Sequence, residues 1–215
     1  MLQYAIDTLI ILLVVLDPVG VVPIFAALTH GATEDIRRRM AFKGVTIAAL
    51  ILIGFMLTGQ YLLGVLNISF NAFRISGGIL LLLLAIEMVF ARQSGLRSTT
   101  LSETQEAVHK PDISVFPLAI PLIAGPGAMT TLLLLLGENT QGLLGIIVLC
   151  TILFFVLGGT LLALLTTGAL MRILGETGTN VVSRVLGVML ASLAIQYILD
   201  GVSGAFFPAV ITTAS

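Results

Sequence analysis

Charge is what this sequence has least of. Only 10% of its 215 residues are Asp, Glu, Lys or Arg, where a soluble domain carries about 25%. That leaves too little polar surface to cover a water-soluble globule of this size. The formal net charge of −1 argues against nucleic acid as a partner. The single cysteine, Cys150, lies inside an apolar run, so an intrachain disulfide or a cysteine-based metal site is excluded and a small buried hydrophobe is expected. His30 and His109 fall in polar stretches without ligand spacing to each other or to Cys150, so no metal is expected. Three motifs are missing as well: the G-x-x-x-x-G-K-[ST] phosphate loop, H-E-x-x-H and G-x-S-x-G. Their absence argues against ATP hydrolysis, zinc proteolysis and serine-nucleophile chemistry. Asp17 stands alone at membrane depth, without the second carboxylate of an aspartyl pair. An enzyme is therefore not expected, and no cofactor is called for.

What the chain has is apolar length. Hydrophobic residues make up 58% of it, in runs near 4–28, 40–63, 72–91, 115–136, 143–171 and 181–202. A bilayer crossing takes roughly 20 such residues, so about six membrane helices are expected and little is left for an extramembrane domain. The segment ahead of the first run has no Lys or Arg, and no small-residue cleavage site follows it. It is read as a retained helix rather than a secretory signal. Arg37, Arg38, Arg39, Lys43, Arg92, Arg97, Lys110, Arg172 and Arg184 collect on one face, and Arg74 alone on the other. Because short cytoplasmic loops gather positive charge, both termini are expected outside and the polar stretch 92–112 in the cytoplasm.

The two sides of that stretch look alike, so the chain divides into a three-helix unit over 1–91, a linker over 92–112 and a second three-helix unit over 113–215. Asn71-Ala-Phe-Arg74-Ile-Ser-Gly77-Gly78 in helix three matches Asn180-Val-Val-Ser-Arg184-Val-Leu-Gly187 in helix six. Helix one carries Asp17-Pro18-Val19-Gly20, with Pro23 beyond it. Helix four carries Gly125-Pro126-Gly127 at a similar offset, with Pro117 and Pro121 ahead of it. An odd number of spans inverts the second copy, which predicts two inverted repeats about an axis in the membrane plane. Proline removes a backbone donor and clashes with the preceding turn, so helices one and four are expected to be broken at mid-membrane. Freed backbone groups cannot face lipid, and half-helix N-termini suit a carboxylate. Packing alone is the competing explanation for each kink.

Asp17 is the sharpest candidate, since a carboxylate at that depth is costly unless paired or solvated. It can bind a substrate ammonium, help bind a cation or carry a proton, or it can simply cap the next half-helix through the Gly20 amide. Pro18, Gly20, Pro23, Gly125, Pro126 and Gly127 are the other expected binding residues. Thr130 and Thr131 offer hydroxyls to the same cavity, or bond back to the carbonyl one turn earlier. Arg74 and Arg184 either snorkel to the interface or cap half-helix carbonyls. Glu87 is either a second proton site or a residue reaching the headgroups. Gly77, Gly78 and Gly187 allow close helix approach.

The segments Leu16-Asp17-Pro18-Val19-Gly20-Val-Val-Pro23-Ile-Phe25, Phe73-Arg74-Ile-Ser-Gly77-Gly78, Pro117-Leu-Ala-Ile-Pro121-Leu-Ile-Ala-Gly125-Pro126-Gly127-Ala128 and Thr179-Asn180-Val-Val-Ser-Arg184-Val-Leu-Gly187 together resemble the MarC family, also called the SnatA family. The resemblance spans nearly the whole chain. It implies a multi-spanning protein of a bacterial or archaeal cytoplasmic membrane and transport of small neutral amino acids such as glycine or alanine. A secondary transporter using alternating access, driven by a proton or sodium gradient, is the expectation. An exporter of other small solutes or drugs, a channel and a non-transporting scaffold are the alternatives. The expected partners are the lipid bilayer, a zwitterionic small molecule, H⁺ or Na⁺, and, as an open alternative, further copies of the chain.

Overall fold

The structure, a computed structural model, describes residues 1–90 and 112–206. The expected linker, with Arg92, Arg97, His109 and Lys110, lies outside the described residues apart from Asp112. The regular elements among the described residues are all helices: α1 Leu2–Leu16, α2 Val21–Leu28, α3 Glu34–Val65, α4 Phe70–Phe90, α5 Ser114–Ile123, α6 Pro126–Gly137, α7 Gly142–Leu165, α8 Thr167–Ile173 and α9 Gly175–Phe206. Five stretches are long and apolar enough to cross a bilayer, with α1 and α2 counted together, and up to six if α5 and α6, bent by 52°, form one span.

Several boundaries differ from the hydropathy reading. The expected second span, α3, starts at Glu34 rather than near residue 40. Glu34 and Asp35 occupy its first turn, where negative charge favours the helix dipole, and the helix carries Arg37, Arg38 and Arg39 as well. Hydropathy marks where a helix enters lipid, whereas backbone hydrogen bonding sets where it begins. For the same reason α9 extends the expected 181–202 span at both ends. The expected fifth helix divides at Thr166, into α7 and α8.

Breaks occur in both proline-rich spans. In the first, α1 ends on Asp17 in the left-handed conformation (φ 41°, ψ 69°), a region that Asp tolerates better than most residues. Pro23 does not interrupt a helix as expected. It stands in the first turn of α2, where an amide hydrogen would have no intrahelical partner. In the other span, Phe116 and Ile120 are extended inside α5, each just ahead of a proline. Leu118 and Ala124 donate to carbonyls five residues back, a wide turn that accommodates the lost donors of Pro117 and Pro121.

Close packing of α4 against α9 gives the bundle its tightest contact. A Cβ added at Gly78 would lie 2.8 Å from the Ala194 carbonyl, one at Gly187 3.2 Å from the Ala85 carbonyl, and one at Gly201 2.9 Å from the Asn71 carbonyl. Residues 71, 78 and 85 thus face 201, 194 and 187, a seven-residue register that runs antiparallel. Small residues let two backbones approach where no hydrophobic effect drives association. Large apolar side chains such as Leu57, Phe155 and Leu162 point outward, as a lipid-facing surface requires.

Candidate functional site

Asp17 is 1% exposed. One carboxylate oxygen accepts the Gly20 amide at 2.9 Å and the other accepts the Ser183 hydroxyl of α9 at 3.0 Å. The first bond satisfies the Gly20 amide just ahead of α2, the contact that the capping alternative expects, while no side chain bonds to the first turn of α2 itself. The second ties the break to a helix 166 residues away. Gly20 is the residue that makes this possible, because a Cβ there would collide with both the Asp17 carboxylate and the Ser183 hydroxyl. Pro18 and Gly20 are half-buried beside it.

The other break lies nearby but forms a separate surface. Gly125 is extended and Pro126 opens α6 at its first position, where its missing amide hydrogen costs nothing. Gly125, Pro126, Gly127 and Ala128 line a small cavity of about 20 Å³ with Val15, Leu80 and Leu84, space for roughly one water. Val15 precedes Asp17 by two residues, so the breaks share a depth. Asp17 itself is not in the cavity wall.

The threonines divide. Thr130 is buried with its methyl against Gly77, and that contact explains Gly77. Thr131 is fully buried and its hydroxyl has no hydrogen-bond partner. Neither lines the small cavity. Arg74 neither caps a half-helix nor merely snorkels: its guanidinium donates to the Glu138 carboxylate at 2.7 Å and lies 5.1 Å from the centroid of the Phe70 ring. Glu138 follows the end of α6, and burial pushes its carboxyl up against the opposing pull of Arg74. Arg184 is exposed. Glu87 is buried at 7% exposure. At the basic face Lys43 binds Asp112. With the Ser114 hydroxyl and amide, Lys43 holds that carboxyl down to about 2.

Sequence reasoning missed Ser183 and the pairing role of Glu138. Ser183 had a signal, since it sits inside the segment that matches helix three. Glu138 had one too, as an acidic residue in the turn on the same face as the lone Arg74. No group of three or more His, Cys, Asp or Glu side chains suited to a metal occurs among the described residues.

The sequence profile of the MarC family of integral membrane proteins matches residues 2–206. The membrane protein MJ1677 of Methanocaldococcus jannaschii is 35% identical over 204 residues, 95% of this chain and 98% of that protein. The inner membrane protein YhgN of Escherichia coli K12 is 34% identical over 197 residues, covering 92% of this chain and 95% of that protein. The membrane protein YvbG of Bacillus subtilis strain 168 is 33% identical over 214 residues, 96% and 97% of the two chains. No solved structure matches. With that profile matched over nearly its whole length and with relatives in bacteria and archaea aligned over almost all of both chains, the chain belongs to the MarC family of integral membrane proteins.

Proposed function

We propose that this protein is a secondary transporter of small neutral amino acids in the cytoplasmic membrane, working by alternating access between two inverted three-helix halves with both termini outside. The observation that carries this reading is Asp17: a buried carboxylate in the break of one span, bonded across to α9, at the depth of a second break whose half-helix N-terminus opens at Pro126. A zwitterion needs a place for a carboxylate and a place for an ammonium. Free amides at a half-helix N-terminus serve the carboxylate, and Asp17 serves the ammonium or a coupling cation. The antiparallel contact between α4 and α9, the third helix of each half, supports the repeat, because an axis in the membrane plane relates corresponding helices in opposite directions.

The test is uptake of labelled glycine and alanine by proteoliposomes with and without a proton or sodium gradient, beside Asp17→Asn. Saturable, gradient-driven flux that Asp17→Asn abolishes is the expected result. Folded protein that moves no amino acid under any gradient would sink the reading. Flux that never saturates would point to a channel.

A further inference from the structure

At the basic face, α3 carries four cations and two carboxylates between Glu34 and Lys43, so positive charge is in excess just ahead of the apolar zone. Lys43 already has a partner in Asp112. Arg37 and Arg38 form no ion pair among the described residues, although Glu34 stands one turn before them. Arg38 instead lies 5.9 Å from the centroid of the Phe42 ring, a contact that steadies the side chain without using up its N–H donors.

Both arginines, with Glu34, line a cavity of about 160 Å³, room for several waters and hence for a phosphate group. Its other wall is the junction of α7 with α8: Leu164 and Leu165 end α7, and Gly168 stands in the first turn of α8. Leu164 is buried and Leu165 half-buried. A Cβ at Gly168 would meet nothing, so glycine leaves the cavity open at that point.

Two chemistries meet here at one level. A guanidinium pair suits a phosphodiester, whose oxygens accept from the planar forks. The leucines stand where α7 leaves the hydrocarbon, the depth at which a phospholipid passes from headgroup to acyl chain. A soluble anion would use the arginines alone, whereas a phospholipid uses both walls. Charge then selects the headgroup. Two arginines against Glu34 leave one positive charge in the wall, which a single phosphodiester charge balances. A headgroup that adds an ammonium would leave that excess unmatched.

We propose that the cavity between the first turns of α3 and the α7–α8 junction is a site for an anionic phospholipid, its phosphodiester on Arg37 and Arg38 and its first acyl carbons against Leu165. Because α2 packs on α8 and leads into α3, the lipid ties the far end of the half-helix that begins beyond Asp17 to the second half of the chain. The inference does not depend on the transport reading.

The test is thermal unfolding of the purified protein in detergent micelles with increasing mole fractions of phosphatidylglycerol, or of phosphatidylcholine with the same acyl chains. Inorganic phosphate is a third arm. Phosphatidylglycerol is expected to raise the melting temperature saturably by several degrees, phosphatidylcholine little and inorganic phosphate not at all. Arg37→Gln removes charge-assisted bonds and should raise the half-saturating mole fraction about ten-fold or more. Arg39→Gln removes the same charge from outside the cavity wall and should raise it about five-fold at most, the worth of one cation near an anionic surface. Gly168→Leu fills the cavity without changing charge and should abolish the shift. Its melting temperature without lipid reports whether it folds, and if it does not, the contrast between positions 37 and 39 decides alone. An equal response to phosphatidylcholine overturns the site. So do equal losses in Arg37→Gln and Arg39→Gln, which would leave only the general attraction of a basic surface for anionic lipid. The same shift with inorganic phosphate overturns the choice of a lipid.

Discussion

At Asp17 a single side chain closes a helix end and crosses to another helix, and substitutions can pull the two roles apart. Asparagine keeps an oxygen for the Gly20 amide and an amide group for the Ser183 hydroxyl, but it removes the charge. Asp17→Asn is therefore expected to change stability little while abolishing gradient-driven flux. Asp17→Ala removes the cap too and should cost about 0.5–2 kcal/mol besides. Thermal unfolding in detergent, read beside flux, distinguishes them, and loss of flux from the alanine variant alone would leave Asp17 a cap and nothing more. Gly20→Ala is a sharper probe of geometry. Its methyl group would occupy the space where the Asp17 carboxylate meets the Ser183 hydroxyl, and relieving the clash is expected to cost about 1–3 kcal/mol and to separate α9 from the break. A Gly20→Ala protein with parental melting temperature and flux would show that the Asp17–Ser183 bond is dispensable.

Between elements, the contact of α4 with α9 depends on the small residues in its register. Gly78→Val and Gly187→Val each push a side chain at a carbonyl or backbone of the opposing helix, and each should destabilise the protein by about 1–3 kcal/mol. Gly158→Val on α7, where an added Cβ meets nothing, should be close to neutral by the same melting assay. Equal effects at all three sites would mean that the register does not matter. Gly78 and Gly187 were legible in the sequence as close-approach residues because they follow matched arginines, and the breaks were legible because proline and glycine cluster at one depth. The helix lengths were not. α3 and α9 leave the apolar zone without ending, and hydropathy cannot see a helix continuing into a polar stretch such as Arg37 to Arg39. Arg74 was read as a snorkelling or capping residue because its partner is 64 residues away. A pairing across helices has no local pattern. Ser183 shows the same limit, since its hydroxyl gains meaning only when α9 is brought beside the break.

At the scale of the whole molecule, the two ion pairs found among the described residues stand at opposite ends of the bundle and respond to acid differently. Lys43–Asp112 ties α3 to the start of α5 at the basic face, and Arg74–Glu138 ties α4 to the end of α6 at the other. The Asp112 carboxyl is held down to about 2, first by its bond to Lys43. Its contribution to stability is present above the ordinary carboxylate range and is lost only as pH falls toward that value. It is modest, because both partners are about half exposed. Glu138 is shifted the other way by burial. The fold thus favours its protonated form: its contribution to stability is present at low pH and lost as pH rises through the raised value. The ion pair itself exists only while Glu138 is ionised. Acid therefore releases Arg74–Glu138 first and at no cost in stability from that carboxyl, while Lys43–Asp112 holds. Thermal unfolding in detergent as a function of pH checks that order: Asp112→Asn should lower the melting temperature slightly at neutral pH, and by progressively less as pH falls toward about 2. Glu138→Gln, which mimics the protonated carboxyl, should leave the melting temperature at neutral pH unchanged or raised and should match the parent in acid. A melting temperature that Glu138→Gln lowers at neutral pH would show that the Arg74–Glu138 pair contributes more than burial of its carboxylate costs, and an Asp112→Asn effect that does not fade in acid would assign that contribution to another group.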